Sequence, residues 1–504
     1  MNNHITRWLD ETAACYPDKV GYADEHRTLT FSGIRNLALN LAEQIVRAGL
    51  FKQPVVIYMD KSVEVLAAMF AAAYSGNFYT PVDVSMPASR VAKIVEILQP
   101  ELVITKEALR ETAAAFLPEG IPVITADGVT EEEGAAETVL AQRDRTCDTD
   151  LLYVLFTSGS TGTPKGVTIC HQSVMDYIES LIRMIPFSRE DVLGNQAPFY
   201  FDNSILDIYT TMRLGCTLHI IPERLFSWPA MLVDFLEERG INTLFWVPTA
   251  LISLARVRAL KNRDVTGQLK KVLFCGEVMP NKHLNYWRKN VPDALYANLY
   301  GPTEITDVCT MYVVDRDFTD EEPLPIGKPM DNCDVFLLDG EDHLIHPGEE
   351  GIGEICVRGT SLSKGYYNNP QKTREAFVQN PLNPAYPEVI YRTGDLARYN
   401  EYGEIMYLSR KDFQIKHLGF RIELGEIETA VSSVPGISLN CCLYDTKRSR
   451  IVLFTEGQFT LEDLAPVLRQ RLPDYMIPTR IICLETMPLN ANGKIDRTRL
   501  KEML

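Results

Sequence analysis

Leu151-Leu-Tyr-Val-Leu-Phe156 reads as a buried strand, and it opens without a break into Thr157-Ser-Gly-Ser-Thr-Gly-Thr-Pro-Lys-Gly166. An apolar strand delivered into three glycines, five hydroxyls and one lysine constrains the fold strongly. Backbone N–H groups and the hydroxyls of Thr157, Ser158, Ser160 and Thr161 can wrap phosphate oxygens. Gly159 and Gly162 allow the close turn, and Lys165 adds charge. The alternative is a flexible Ser/Gly surface turn. Lys165 is preceded by Pro164 and followed by Gly166, so this is not the Gly-Lys-Ser/Thr of a P-loop, nor is it a dinucleotide GxGxxG.

The rest of the chain supports an α/β reading. Short β-branched segments such as Val55–Tyr58, Leu102–Ile104, Val123–Thr125 and Leu218–Ile221 alternate with amphipathic helical stretches. Residues 127–145 are acidic and contain glycine, and are expected to form a solvated connection. After about Asp320, short strands punctuated by Gly and Pro predict a β-rich subdomain. A second change near Ser409-Arg410-Lys411-Asp412 leaves enough chain for a small α+β domain. The expected division is residues 1–411 and 412–504, with a hinge at Asp412.

Charge and cysteine usage exclude several classes. Fifty Lys and Arg against 67 Asp and Glu give a net charge of −17, with no basic run to hold nucleic acid. The eleven cysteines are scattered without a CxxC, and the eight histidines do not join them at zinc-ligand spacing. The longest apolar run, Val65 to Tyr74, is about half of the ~20 residues a membrane span needs. Met1-Asn2-Asn3-His4 lacks the pattern of a signal peptide, so a cytoplasmic location with no membrane partner is expected.

Two more strand ends fall in a ligand-binding pattern. Lys271–Cys275 leads into Gly276-Glu277, and Ala297-Asn298-Leu299-Tyr300 leads into Gly301-Pro-Thr-Glu304. In open α/β sheets ligands sit beyond the carboxyl ends of strands. Glu304 is either a solvated loop carboxylate or, beside a triphosphate, a Mg²⁺ ligand.

These motifs are followed in order by Gly353–Gly359, Tyr391-Arg-Thr-Gly-Asp395, Arg410–Lys416, Gly419–Glu428 and Asn492-Gly-Lys494. With Phe201-Asp-Asn-Ser204 ahead of Tyr300, nearly the whole chain resembles the acyl- and aminoacyl-adenylating superfamily. That superfamily includes acyl-CoA synthetases, luciferase-like enzymes and adenylation domains of nonribosomal peptide synthesis. The resemblance implies ATP and Mg²⁺ as cofactors. It implies that Tyr300 stacks on adenine, that Thr303 and Glu304 hold phosphate and Mg²⁺, and that Asp395 and Arg410 hold the ribose. The same resemblance implies that Gly276, Glu277, Asn298 and Gly301 belong to the nucleotide site and that Lys494 is the catalytic cation at the α-phosphate. Judged alone, Lys494 is equally a turn lysine.

Asp202 points to an amino acid, because in that branch this Asp pairs with the substrate's α-ammonium; the competing reading is a helix cap. Several stretches resemble D-alanine–carrier protein ligases, among them Phe274–Asn281 and Leu472–Pro478. The implied pocket wall is Asn203, Leu206, Phe245, Leu273, Cys275, Leu299, Asp307 and Val308. Asp307 departs from the apolar residue of those ligases and opens the pocket to serine-like or basic amino acids. Ten residues follow Lys494, so the acceptor is expected to be the phosphopantetheine thiol of a separate carrier protein. A CoA ligase of a small acid and a non-catalytic binding protein of the same fold are the competing readings.

Overall fold

A computed structural model describes residues 4–118, 120–134, 136–159, 163–437, 439–489 and 495–504. Two compact units divide the described chain. The larger comprises Met1–Val84, Leu98–Leu155 and Val167–Lys411; the smaller comprises Ser85–Ile97, Phe156–Gly166 and Asp412–Leu504.

In the larger unit, a nine-stranded sheet sets up the site. Its strands Val192–Asn195, Thr243–Trp246, Lys271–Cys275 and Leu295–Tyr300 are neighbours and mutually parallel. Parallel strands release their carboxyl ends on one edge, so the residues after Asn195, Trp246, Cys275 and Tyr300 emerge together. Thr243–Trp246 and Lys271–Cys275 are buried along their full length, and Leu295–Tyr300 from Tyr296 onward, as expected of a sheet covered on both faces.

A second parallel set, in the order Val123–Thr125, Leu102–Thr105, Pro54–Tyr58 and Phe78–Val82, confirms the β-branched segments read from the sequence. The helix Val63–Tyr74 is buried from end to end, which explains its apolar residues on every face. The β-rich region is an antiparallel sheet built around Cys333–Leu338, Gly353–Gly359 and the long strand Val389–Tyr399. The acidic connection of residues 127–145 is mostly exposed, as expected, and also contains a short helix, Glu137–Arg143, whose Val139 is fully buried and whose Arg143 pairs with Asp10.

The smaller unit carries the hairpin Gln414–His417 with Phe420–Glu423, and a three-stranded sheet of Asn440–Asp445, Arg450–Glu456 and Arg480–Leu484. Helix Leu424–Ser432 packs Ile427 and Val431 against Cys442, Leu453 and Met476. The eleven cysteines are free, and most are buried as small hydrophobes.

Candidate active site

Cys275 pairs with Leu299 across the sheet, and Phe245 with Leu273. These four share one packed cluster with Leu206 and Val308, and each is 2% exposed or less. The apolar wall expected from the sequence is therefore assembled from three adjacent strands, one helix and one turn. Two glycines let the backbone close around it. Gly276 has a φ of +96°, and Gly301 leaves no room for a Cβ, which would lie 2.3 Å from the carbonyl oxygen of Asp307.

Polar groups are set into this wall. Asp202 is half-buried and lies just ahead of helix Ser204–Leu214. Its Oδ1 accepts the backbone N–H of Asn203 at 3.0 Å, and its Oδ2 accepts the Thr303 hydroxyl at 2.5 Å. Asn203 is the N-cap of that helix and makes no side-chain cap bond. The carboxylate thus joins the segment after Tyr300 to the helix bearing Leu206. Thr306 and Asp307 both adopt left-handed backbone, uncommon for non-glycine residues and a mark of positions held by their surroundings. Tyr177, from helix His171–Met184, donates to Asp307 Oδ2 at 2.8 Å. Burial, followed by the charge of Asp307, pushes the Tyr177 hydroxyl well above its ordinary range, so it stays a donor.

The second polar group centres on Asp395, on strand Val389–Tyr399, opposite Arg410 on Ile405–Arg410. Arg410 Nη1 lies 2.8 Å from Asp395 Oδ1, and the Tyr300 hydroxyl donates to Oδ2. Asp395 is 3% exposed, so this is a buried, charge-assisted network rather than a surface pair. Burial and then Asp395 raise the Tyr300 hydroxyl well above its usual range. Glu304 is fully buried and accepts the Tyr366 hydroxyl at 2.7 Å. Asn298 donates to the Pro325 carbonyl at 2.7 Å, and Glu277 accepts the Thr249 backbone N–H at 2.9 Å.

In the smaller unit, the Ser158 hydroxyl donates to the Arg421 carbonyl at 2.7 Å and accepts the Glu423 N–H at 3.1 Å. Lys165 Nζ lies 3.6 Å from Glu423. Gly159 has no room for a side chain beside the Thr163 carbonyl. Asp412 is exposed and accepts the Gln414 N–H at 3.1 Å. Ser160, Thr161, Gly162 and Lys494 lie outside the described residues. Sequence reasoning missed Tyr177 and Tyr366, each far along the chain from the carboxylate it bonds.

The model of the AMP-binding enzyme family matches residues 9–367. The chain belongs to that family. Zwittermicin A synthase ZmaJ of Bacillus cereus is 32% identical over 513 residues, covering 99% of this chain and 94% of the relative. D-alanine–D-alanyl carrier protein ligase of Lacticaseibacillus paracasei is 31% identical over 519 residues, covering 99% of both. The crystal structure of the Vibrio cholerae adenylation domain AlmE, in complex with glycyl-adenosine-5′-phosphate, superposes with a TM-score of 0.85. At 21% identity, over all of this chain and 98% of that one, it establishes the adenylation-domain fold. As a member of the family this chain is an AMP-forming ligase. Among the described residues, no helix is long and apolar enough to cross a membrane.

Proposed function

We propose that this ligase activates an amino acid as its aminoacyl-AMP and passes the aminoacyl group to the phosphopantetheine thiol of a separate carrier protein. The observation that carries the amino-acid reading is Asp202, a carboxylate held by Thr303 and Asn203 beside an apolar wall. An acceptor-only group there suits a cationic α-ammonium. The carrier-protein step is supported by the relatives whose names state it.

In the first half-reaction an oxygen of the substrate carboxylate attacks the α-phosphorus of ATP, and the bond to pyrophosphate breaks. Two anions approach and negative charge grows on the phosphoryl oxygens, so the catalyst's task is electrostatic. Asp395, fixed by Arg410 and Tyr300, accepts the ribose hydroxyls. Lys494 brings the cation. In the second half-reaction the carrier thiol attacks the acyl carbon, and AMP leaves with the electron pair. Mg²⁺ would be held by Glu304 and phosphate oxygens, and would neutralise phosphate charge. Among the described residues no group of three His, Cys, Asp or Glu could form a protein-only metal centre. One carboxylate plus phosphates is a usual setting for this ion. A cytoplasmic location accords with this chemistry.

ATP–pyrophosphate exchange with a panel of amino acids and their deaminated analogues tests the reading. Exchange should require the amino group. If propionate supports exchange as well as alanine does, and CoA accepts the acyl group, the protein is a CoA ligase instead.

A further inference from the structure

We propose that Glu354 is a positioning residue for the nucleotide: its carboxylate clamps the strand bulge that aims Asp395 at the ribose. This rests on the ribose reading of Asp395 in the proposed reaction and adds the group that holds it in place. The observation that carries it is a break in register between strands Gly353–Gly359 and Val389–Tyr399. Glu354 pairs with Leu396 and Cys356 with Arg392, so Thr393, Gly394 and Asp395 all lie opposite Ile355. A bulge of this kind bends the strand, re-aims a side chain and interrupts the ladder locally. Gly394 takes left-handed backbone there, with a φ of +75°.

Two side chains replace the interrupted ladder. Glu354 Oε1 accepts the Gly394 N–H at 3.0 Å. The Thr393 hydroxyl donates to the Ile355 carbonyl at 2.8 Å and accepts the Asp395 N–H at 3.0 Å. Glu354 is buried, and its Oε2 is fixed in turn by Arg392 Nε at 2.8 Å and Lys411 Nζ at 3.0 Å. Lys411 also donates its backbone N–H to the Gly394 carbonyl at 2.8 Å, so both polar groups of Gly394 are held. A buried ion-pair hub with no bearing on the ribose is the other reading of these contacts. The two differ in what the nucleotide feels. Asp395 bonds the ribose only where its carboxylate stands, and a small displacement forfeits a charge-assisted bond.

Pyrophosphate exchange by the full chain is measured with ATP and with 2′,3′-dideoxy-ATP, using whichever acid, amino or plain, supports exchange best. The ratio of the two kcat/KM values does not depend on how much of a variant is folded. The wild type should prefer ATP at least about tenfold, the low end for a hydrogen bond to a charged group. Asp395→Ala should abolish that preference. Glu354→Gln leaves one acceptor oxygen for three donors and should cut the preference at least about threefold, through the KM for ATP. Thr393→Val removes the other support and should act in the same direction. A preference unmoved in Glu354→Gln or in Thr393→Val, or a loss equal with both nucleotides, overturns the positioning role while the ribose reading stands. A wild type indifferent to the ribose hydroxyls, or Asp395→Ala with the wild-type preference, rejects the ribose reading beneath it.

Discussion

At Asp202 the two carboxylate oxygens do different work: one takes a backbone N–H, the other the Thr303 hydroxyl. A substrate α-ammonium at this carboxylate would add a charge-assisted bond, worth roughly 1.5–3 kcal/mol. Asp202→Asn keeps the size and removes that charge. It should raise the amino-acid KM by about 10- to 100-fold and leave the ATP KM nearly unchanged in steady-state exchange kinetics. Equal change in both constants would remove Asp202 from the amino-acid site. Asp207, one turn along the same helix, behaves differently. It is fully buried and accepts from Asn195 at 2.8 Å; burial pushes its carboxyl up to about 8. The folded state therefore holds a proton that the unfolded chain releases above about pH 4. Folded-state proton binding exceeds unfolded, so this group's contribution to stability falls as pH rises from about 4 to 8. In Asp207→Asn the fall in Tm between pH 5 and pH 8 should be smaller than in the wild type. An identical fall would show that Asp207 titrates normally.

Among elements, the segment Ser85–Ile97 belongs to the smaller unit and carries one partner of a buried ion pair with helix Leu424–Ser432. Arg90 Nη1 lies 2.8 Å from Glu426 Oε1, and both side chains are 5% exposed. Breaking such a pair by removing one partner costs about 3–5 kcal/mol, because the other charge stays buried. Arg90→Met should thus lower the unfolding midpoint of the smaller unit sharply, and Arg90→Met with Glu426→Leu should recover most of it. No recovery in the double variant would mean that Arg90 acts through other contacts. Nothing in the local sequence of Arg90 announces this role, since its partner lies 336 residues away. Separations of 130 and 62 residues likewise hid Tyr177 from Asp307 and Tyr366 from Glu304. What the sequence did expose was local: buried strands with continuous β-branched runs, and glycines at the turns that leave them. The helix Glu137–Arg143 escaped notice because its buried face is short and lies within an acidic stretch.

For the whole molecule, the α/β class was legible in the alternation of strands and helices, while the residues of the apolar wall were named from the family resemblance and lie on strands whose ends share one edge. The long-range hydrogen bonds that orient the polar groups were not, since they depend on tertiary packing rather than spacing. The family resemblance implies two tasks for the smaller unit, Lys494 in adenylation and the face Gly419–Glu428 in thioester transfer. A single rigid body cannot present both at one centre, which motivates a rotation about Asp412 between half-reactions. Asp412 is exposed and accepts the Gln414 N–H at 3.1 Å. Proline at this position would restrict a backbone change by fixing φ. Asp412→Pro should slow transfer to the carrier thiol far more than pyrophosphate exchange. Lys494→Ala should do the opposite, lowering adenylate formation at least about 100-fold, the scale of losing one transition-state charge contact. Transfer from a pre-formed adenylate should stay nearly intact in that variant. Single-turnover assays of each half-reaction separate the two effects. Parallel losses in both half-reactions for both variants would leave no reason to invoke a rotation at this position.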